Sequence, residues 1–113
     1  MKFDHTQPFE IHQVQNGSNA VVVKLSGEFD MAGCADFEAA VRALGADALR
    51  KVVIDLAELT FIDSSGIRSL LDSKRRAEEH GMALVVRIPA AGQVRQVLEL
   101  TGVDHVLDGA GPA

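Results

Sequence analysis

The chain has 113 residues, a formal net charge of −5, a single cysteine and no tryptophan or tyrosine. That length fits one domain, and 47% hydrophobic against 24% charged residues is a globular balance rather than a disordered one. The acidic surplus argues against nucleic acid and anionic lipid as partners, since both call for a basic surface, and Cys34 alone leaves no intrachain disulfide framework.

Phe9, Ile11 and Val14 suggest a first strand. Asn16-Gly17-Ser18-Asn19 is turn chemistry, because Asn and Gly tolerate positive φ. Ala20-Val21-Val22-Val23-Lys24-Leu25 then reads as a second strand, so the two form a hairpin. Gly27-Glu28-Phe29-Asp30 follows as a loop. Phe37, Ala40, Val41 and Leu44 lie at i, i+3, i+4 and i+7, which is one apolar helical stripe, with Gly45 as its terminator. Val52-Val53-Ile54-Asp55-Leu56 is a short β-branched run and reads as a strand buried on both faces.

Ile67, Leu70 and Leu71 begin a second helical stripe, continued by Lys74 and Ala77 and closed by Gly81. Met82-Ala83-Leu84-Val85-Val86-Arg87-Ile88 is a further strand, ended by Pro89. Val94, Val97 and Leu98 mark a third helix, closed by Gly102, and His105-Val106-Leu107 reads as a weak last strand. Strands alternating with helices predict an α/β single domain. Its mixed sheet is mostly parallel, carries an antiparallel N-terminal edge hairpin and is packed by amphipathic helices. The domain is expected over residues 1–108, with Gly109-Ala110-Gly111-Pro112-Ala113 as a flexible C-terminal tail.

No apolar run is long enough to span a bilayer, and Met1-Lys2-Phe3-Asp4-His5 lacks a signal peptide's apolar stretch. The expectation is a cytoplasmic protein with no membrane contact.

In open α/β sheets, functional sites lie outside the carboxyl ends of the strands. Phe61-Ile62-Asp63-Ser64-Ser65-Gly66-Ile67 occupies such a place, between a buried strand and an amphipathic helix. Asp63 and Ser64 are both strong N-cap types, and Asp-Ser-Ser before a helix is often a cap and nothing more. Gly66 lets another backbone approach closely. A phosphate on Ser64 would meet the N–H groups and the positive dipole end of the helix, which favour an anion there.

Asp63-Ser64-Ser65-Gly66-Ile67 resembles the signature of STAS domains, in particular the bacterial anti-sigma factor antagonists. Gly27-Glu28-Phe29-Asp30 is similar to the family's Gly-Glu-hydrophobe-Asp after its second strand. Val53-Ile54-Asp55-Leu56 with Leu59-Thr60-Phe61-Ile62 resembles its central strand and the approach to its phosphosite. Leu98-Glu99-Leu100-Thr101-Gly102-Val103 resembles its third helix and exit. The likeness runs from about Phe9 to Leu107.

The resemblance implies a non-enzymatic module without cofactor. Its partner would be an anti-sigma factor with serine kinase activity. The unmodified module would bind that partner and free a sigma factor, in a partner switch of stress-response transcription. Phosphorylation on Ser64 would end the complex, and a PP2C-type phosphatase would reverse it. Asp30, Asp63, Ser64, Ser65, Gly66, Ile67 and Arg68 would form or border the contact surface. Capping explains Asp30 equally well, solvation explains Arg68, and core packing explains Ile67. The alternative is a STAS scaffold subunit of a transporter or stress-sensing complex, never phosphorylated.

Other chemistry finds little support. No Gly-x-Ser-x-Gly elbow surrounds Ser64 or Ser65, and His5, His12, His80 and His105 are scattered, so a hydrolase is not expected. The histidines and Cys34 lack metal-ligand spacing, and no Gly-x-x-x-x-Gly-Lys loop exists for nucleotide phosphates. Lys74-Arg75-Arg76 reads as a solvated helix face compensated by Glu78 and Glu79. His80 reads as a helix C-terminal residue and Cys34 as a small, at least half-buried side chain.

Overall fold

The computed structural model describes residues 8–17, 19–45 and 51–107. The elements in chain order are β1 (Glu10–Gln15), β2 (Ala20–Phe29), α1 (Met31–Gly45), β3 (Lys51–Ile62), α2 (Ser64–Glu79), β4 (Ala83–Arg87), α3 (Gln93–Leu100) and α4 (Asp104–Leu107). The strands form one sheet in the order β1-β2-β3-β4. β1 and β2 pair antiparallel, with Val14 opposite Val22, and the hairpin closes through Asn16 N–H to the Ala20 carbonyl at 2.9 Å. β2 with β3, and β3 with β4, are parallel. This is the expected mixed sheet with its antiparallel edge.

Side chains alternate across the strands, and the two faces differ sharply. Val21, Val23 and Leu25 of β2, with Val52, Ile54 and Leu56 of β3, join the buried residues of all four helices in one core cluster. Phe37, Val41 and Leu44 of α1 meet them from above, as do Leu70 of α2 and Leu98 of α3. The opposite face carries a cross-sheet row of valines, Val14-Val22-Val53-Val85, in direct register. Beside it runs a polar row, His12-Lys24-Asp55-Arg87. The β3 run is therefore apolar on both faces for two reasons: Val52 and Ile54 pack under helices, while Val53 is buried within the valine row.

Several boundaries differ from the sequence reading. Gly27, Glu28 and Phe29 are strand, not loop, because β2 continues through register shifts against β3. Gly27 supplies φ +85° at that irregularity, a conformation costly for any other residue. β3 likewise runs on past Leu56 to Ile62. Met82 and Ile88 fall outside β4, and Gly45 lies within α1 rather than beyond it. His105-Val106-Leu107 is helical, not a last strand. Only Leu107 of those three is buried, and so short an apolar stretch cannot set its own period.

Lys74 also departs from expectation. Its side chain is only 14% exposed, pairs with Glu78 at 2.9 Å and donates from Nζ to the Leu84 carbonyl at 2.8 Å. Its stem thus belongs to the packed stripe, as its spacing indicated, while Arg75 is solvated and paired with Glu79. His80 is the C-cap of α2. The predicted tail at 109–113 lies outside the described residues.

Candidate functional site

β2 and β3 end side by side, with Phe29 opposite Ile62. Each is followed by one aspartate and then a helix. Asp30 Oδ1 accepts the Ala32 N–H at 3.0 Å and caps α1. Asp63 Oδ1 accepts the N–H groups of Ser65 at 2.9 Å and Gly66 at 3.1 Å, and caps α2. Of the two cap types at positions 63 and 64, Asp63 does the capping. That leaves the Ser64 hydroxyl unneeded by the helix start. Ser64 is the first residue of α2 and is exposed.

Three contacts hold the backbone around it. The Asp63 N–H donates to the Phe29 carbonyl at 3.3 Å. Gly66 packs against the same residue: a Cβ there would lie 2.8 Å from the Phe29 carbonyl oxygen and 2.8 Å from Ile62 Cγ1. Only glycine lets the first turn of α2 settle onto the end of β2, which is the close approach expected of it. Phe29 is itself fixed, stacked on Phe9 at 4.8 Å between ring centres and edge-on to Phe37 at 5.2 Å.

The third contact was not visible in the sequence. β4 stops pairing with β3 at Asp55, so Ile62 has no strand neighbour on that side. Gln93, at the start of α3, fills the gap. Its Oε1 accepts the Ile62 N–H at 3.1 Å, and its Nε2 donates to the Ile62 carbonyl at 3.1 Å. Cys34 adds a link between the two helix starts, its thiol 3.4 Å from both the Asp30 and Ser65 carbonyls. It is half-buried, as its residue type suggested.

The predicted site residues thus share one end of the sheet but not one kind of environment. Ser64 and Arg68 are exposed; Asp30, Asp63 and Ser65 are half-buried. Gly66 and Ile67 are buried, with Ile67 in the core cluster. They shape the surface from below, because the stripe that anchors α2 starts at Ile67. Met31 is a surface residue that sequence reasoning passed over. It follows Asp30 directly and is 74% exposed. Its signal was its place off the Phe37-Val41-Leu44 stripe. No cluster of metal-ligating side chains occurs among the described residues. No helix among them is long and apolar enough to cross a membrane.

The family model described as "Mlab, STAS domain" matches residues 12–108. The chain is similar to an anti-sigma factor antagonist from Mycobacterium paratuberculosis, at 31% identity and TM-score 0.70 over 88% of this chain and 83% of that one. It is also similar in fold to the anti-sigma factor antagonist SpoIIAA in its unphosphorylated form, at 24% identity and TM-score 0.68, over 85% of this chain and 82% of that one. The Bacillus cell fate determinant SpoIIAA in its phosphorylated form matches at 22% identity and TM-score 0.63, over 86% of each chain. The chain belongs to the STAS domain family.

Proposed function

We propose that this protein is an anti-sigma factor antagonist whose α2 start docks on an anti-sigma factor with serine kinase activity, and that phosphorylation of Ser64 ends the complex. The observation that carries this reading is the division of labour at the helix start. Asp63 caps α2 and Gly66 seats it, while the neighbouring Ser64 hydroxyl is exposed and takes no part in the cap. The likeness to an antagonist at 31% identity supports the same class of role.

On this reading, Ser64, Arg68 and Met31 are the exposed contacts. Asp30, Asp63 and Ser65 border them, and Gly66 and Ile67 hold the surface in shape. The kinase chemistry belongs to the partner, so this chain contributes no catalytic residue and needs no cofactor. A PP2C-type phosphatase restores the unmodified form.

The switch is electrostatic. A phosphate adds about −1.5 to −2 charges at neutral pH, beside the Asp63 carboxylate and on a chain of net charge −5. Buried in an interface, that charge loses water and faces like charge, at a cost of about 2–5 kcal/mol. The fold tolerates it, because the phosphate stands on an exposed side chain at the positive dipole end of α2.

The test has two stages. Partners captured from native lysate are identified by mass spectrometry. The captured anti-sigma factor and ATP are then incubated with the protein, and the expected outcome is a single phosphate mapped to Ser64. Ser64→Ala should keep binding and Ser64→Asp should lose it. Equal binding by the two variants, with no mass gain, would favour an unphosphorylated scaffold role instead.

A further inference from the structure

At the end of the helical layer away from Ser64, α1 and α2 enclose a groove of about 260 Å³. Arg76 in its wall lies twelve residues along α2 from Ser64 (76 − 64), or about 18 Å at the helical rise. The groove is lined on its apolar side by Val41, Ala77 and Met82, all buried. His80, exposed at the C-cap of α2, is its one aromatic lining residue.

Ser73 also lines it and is only 5% exposed. The Ser73 hydroxyl has no hydrogen-bond partner among the described residues, yet it is not sealed from solvent, since no fully buried side-chain oxygen lacks a partner. Its remaining access is to the groove. Water in the groove can satisfy it in the free protein, and a ligand seated there would take that water's place.

The charges point the same way. Arg42 and Arg76 stand in the last turns of α1 and α2 and line the groove. The other basic residues of the second half of α2 are paired: Lys74 with Glu78, and Arg75 with Glu79 and Asp72. Arg42 and Arg76 form no ion pair among the described residues. The i,i+4 partner open to Arg42 would be Glu38, but Glu38 turns inward to accept the Ser69 hydroxyl at 2.6 Å. Compensation of the negative helix ends explains why arginines stand there. Because α1 and α2 start side by side after parallel strands, their last turns bring both arginines to one groove, and that groove also holds the Ser73 hydroxyl.

We propose that this groove binds a small amphipathic anion, an aliphatic carboxylate. The chain would lie on Val41, Ala77 and Met82. The carboxylate would accept hydrogen bonds from the Arg42 and Arg76 guanidiniums, with Ser73 donating from below. A singly charged head suits the site better than a phosphate, because the Glu38 carboxylate also lines the groove. A nucleotide base would find only the exposed His80 ring, whose Nδ1 already sits 2.8 Å from the Arg76 carbonyl.

Decanoate titrated into the isotope-labelled full chain, followed by amide chemical shifts, tests this. The expected result is saturable shifts centred on Ser73, Ala77 and Met82, with Ser64 unmoved. Acetate, which lacks the chain, and decanol, which lacks the charge, should each bind about tenfold or more weakly. R42Q/R76Q alters only exposed side chains, so its spectrum should stay folded while its decanoate affinity falls about tenfold and its decanol affinity holds. S73V should weaken decanoate in the same sense. Shifts that never saturate, shifts centred elsewhere, or equal affinity in wild type and R42Q/R76Q would overturn the proposal. So would a groove filled only by an acidic peptide and not by decanoate.

Discussion

The side-chain amide of Gln93 pairs with both backbone groups of Ile62, its oxygen and nitrogen each 3.1 Å from their partners. One side chain thereby imitates the strand that β4 would have supplied had it run further. The pairing falls one residue before the cap of α2, so it fixes the direction in which Asp63 and Ser64 leave the sheet. Removing it with Gln93→Leu leaves a half-buried N–H and carbonyl without protein partners. The expected loss is about 1–3 kcal/mol, read by urea denaturation. Amide exchange should quicken at Ile62 and Asp63 more than in the middle of β3. Uniform acceleration across the sheet would show that the pairing has no local role.

Gly66 makes the sharpest steric demand. Alanine is intrinsically better in a helix by about 1 kcal/mol, yet a Cβ here would sit 2.8 Å from the Phe29 carbonyl oxygen. Gly66→Ala should therefore destabilise, by about 1–3 kcal/mol. Gly45 is the control, because a Cβ there meets nothing within 4 Å among the described residues and its φ is not positive. Gly45→Ala should be neutral or slightly stabilising in the same denaturation series.

The cap on α2 gives a paired comparison. Asp63→Ala removes the acceptor of two N–H bonds and should cost about 0.5–2 kcal/mol. Asp63→Asn keeps an acceptor in place and should recover most of that loss. Chemical denaturation of the three proteins checks it. An Asn variant as unstable as the Ala variant would mean that charge, not hydrogen bonding, holds the helix start.

Met31 separates binding from folding. At 74% exposure it contributes little to the core. Met31→Ala should leave the denaturation midpoint nearly unchanged and weaken the captured anti-sigma factor by about 1 kcal/mol or more, the size expected of an interface anchor. Urea denaturation of the free protein reads the first quantity and titration calorimetry on the purified pair the second.

Much of the architecture was legible because its signals are local. The β-branched run at 52–56 and the stripes on α1 and α2 declared their periods, and Asn16-Gly17 marked the hairpin. Strand ends were harder. Gly27 read as loop chemistry, but pairing with β3 carried β2 through it to Phe29. The helical turn at Asp104–Leu107 was missed because its one buried side chain gives no period. At the site, Asp63 and Gly66 were readable from residue type and spacing. Gln93 was not, since its bond to Ile62 spans 31 residues and no local pattern marks it. Arg42 and Arg76 each look like ordinary helix-end cations until the fold puts them on one groove.

Affinity of the captured anti-sigma factor for the protein carrying a single phosphate on Ser64, set beside that for the unmodified protein, is the decisive test of the Ser64 switch. The expected result is a loss of about 30-fold to several thousand-fold, with circular dichroism of the two forms superimposable. Matched affinities for the two forms would contradict it, as would a phosphorylated protein whose lost binding is accompanied by a melted α2.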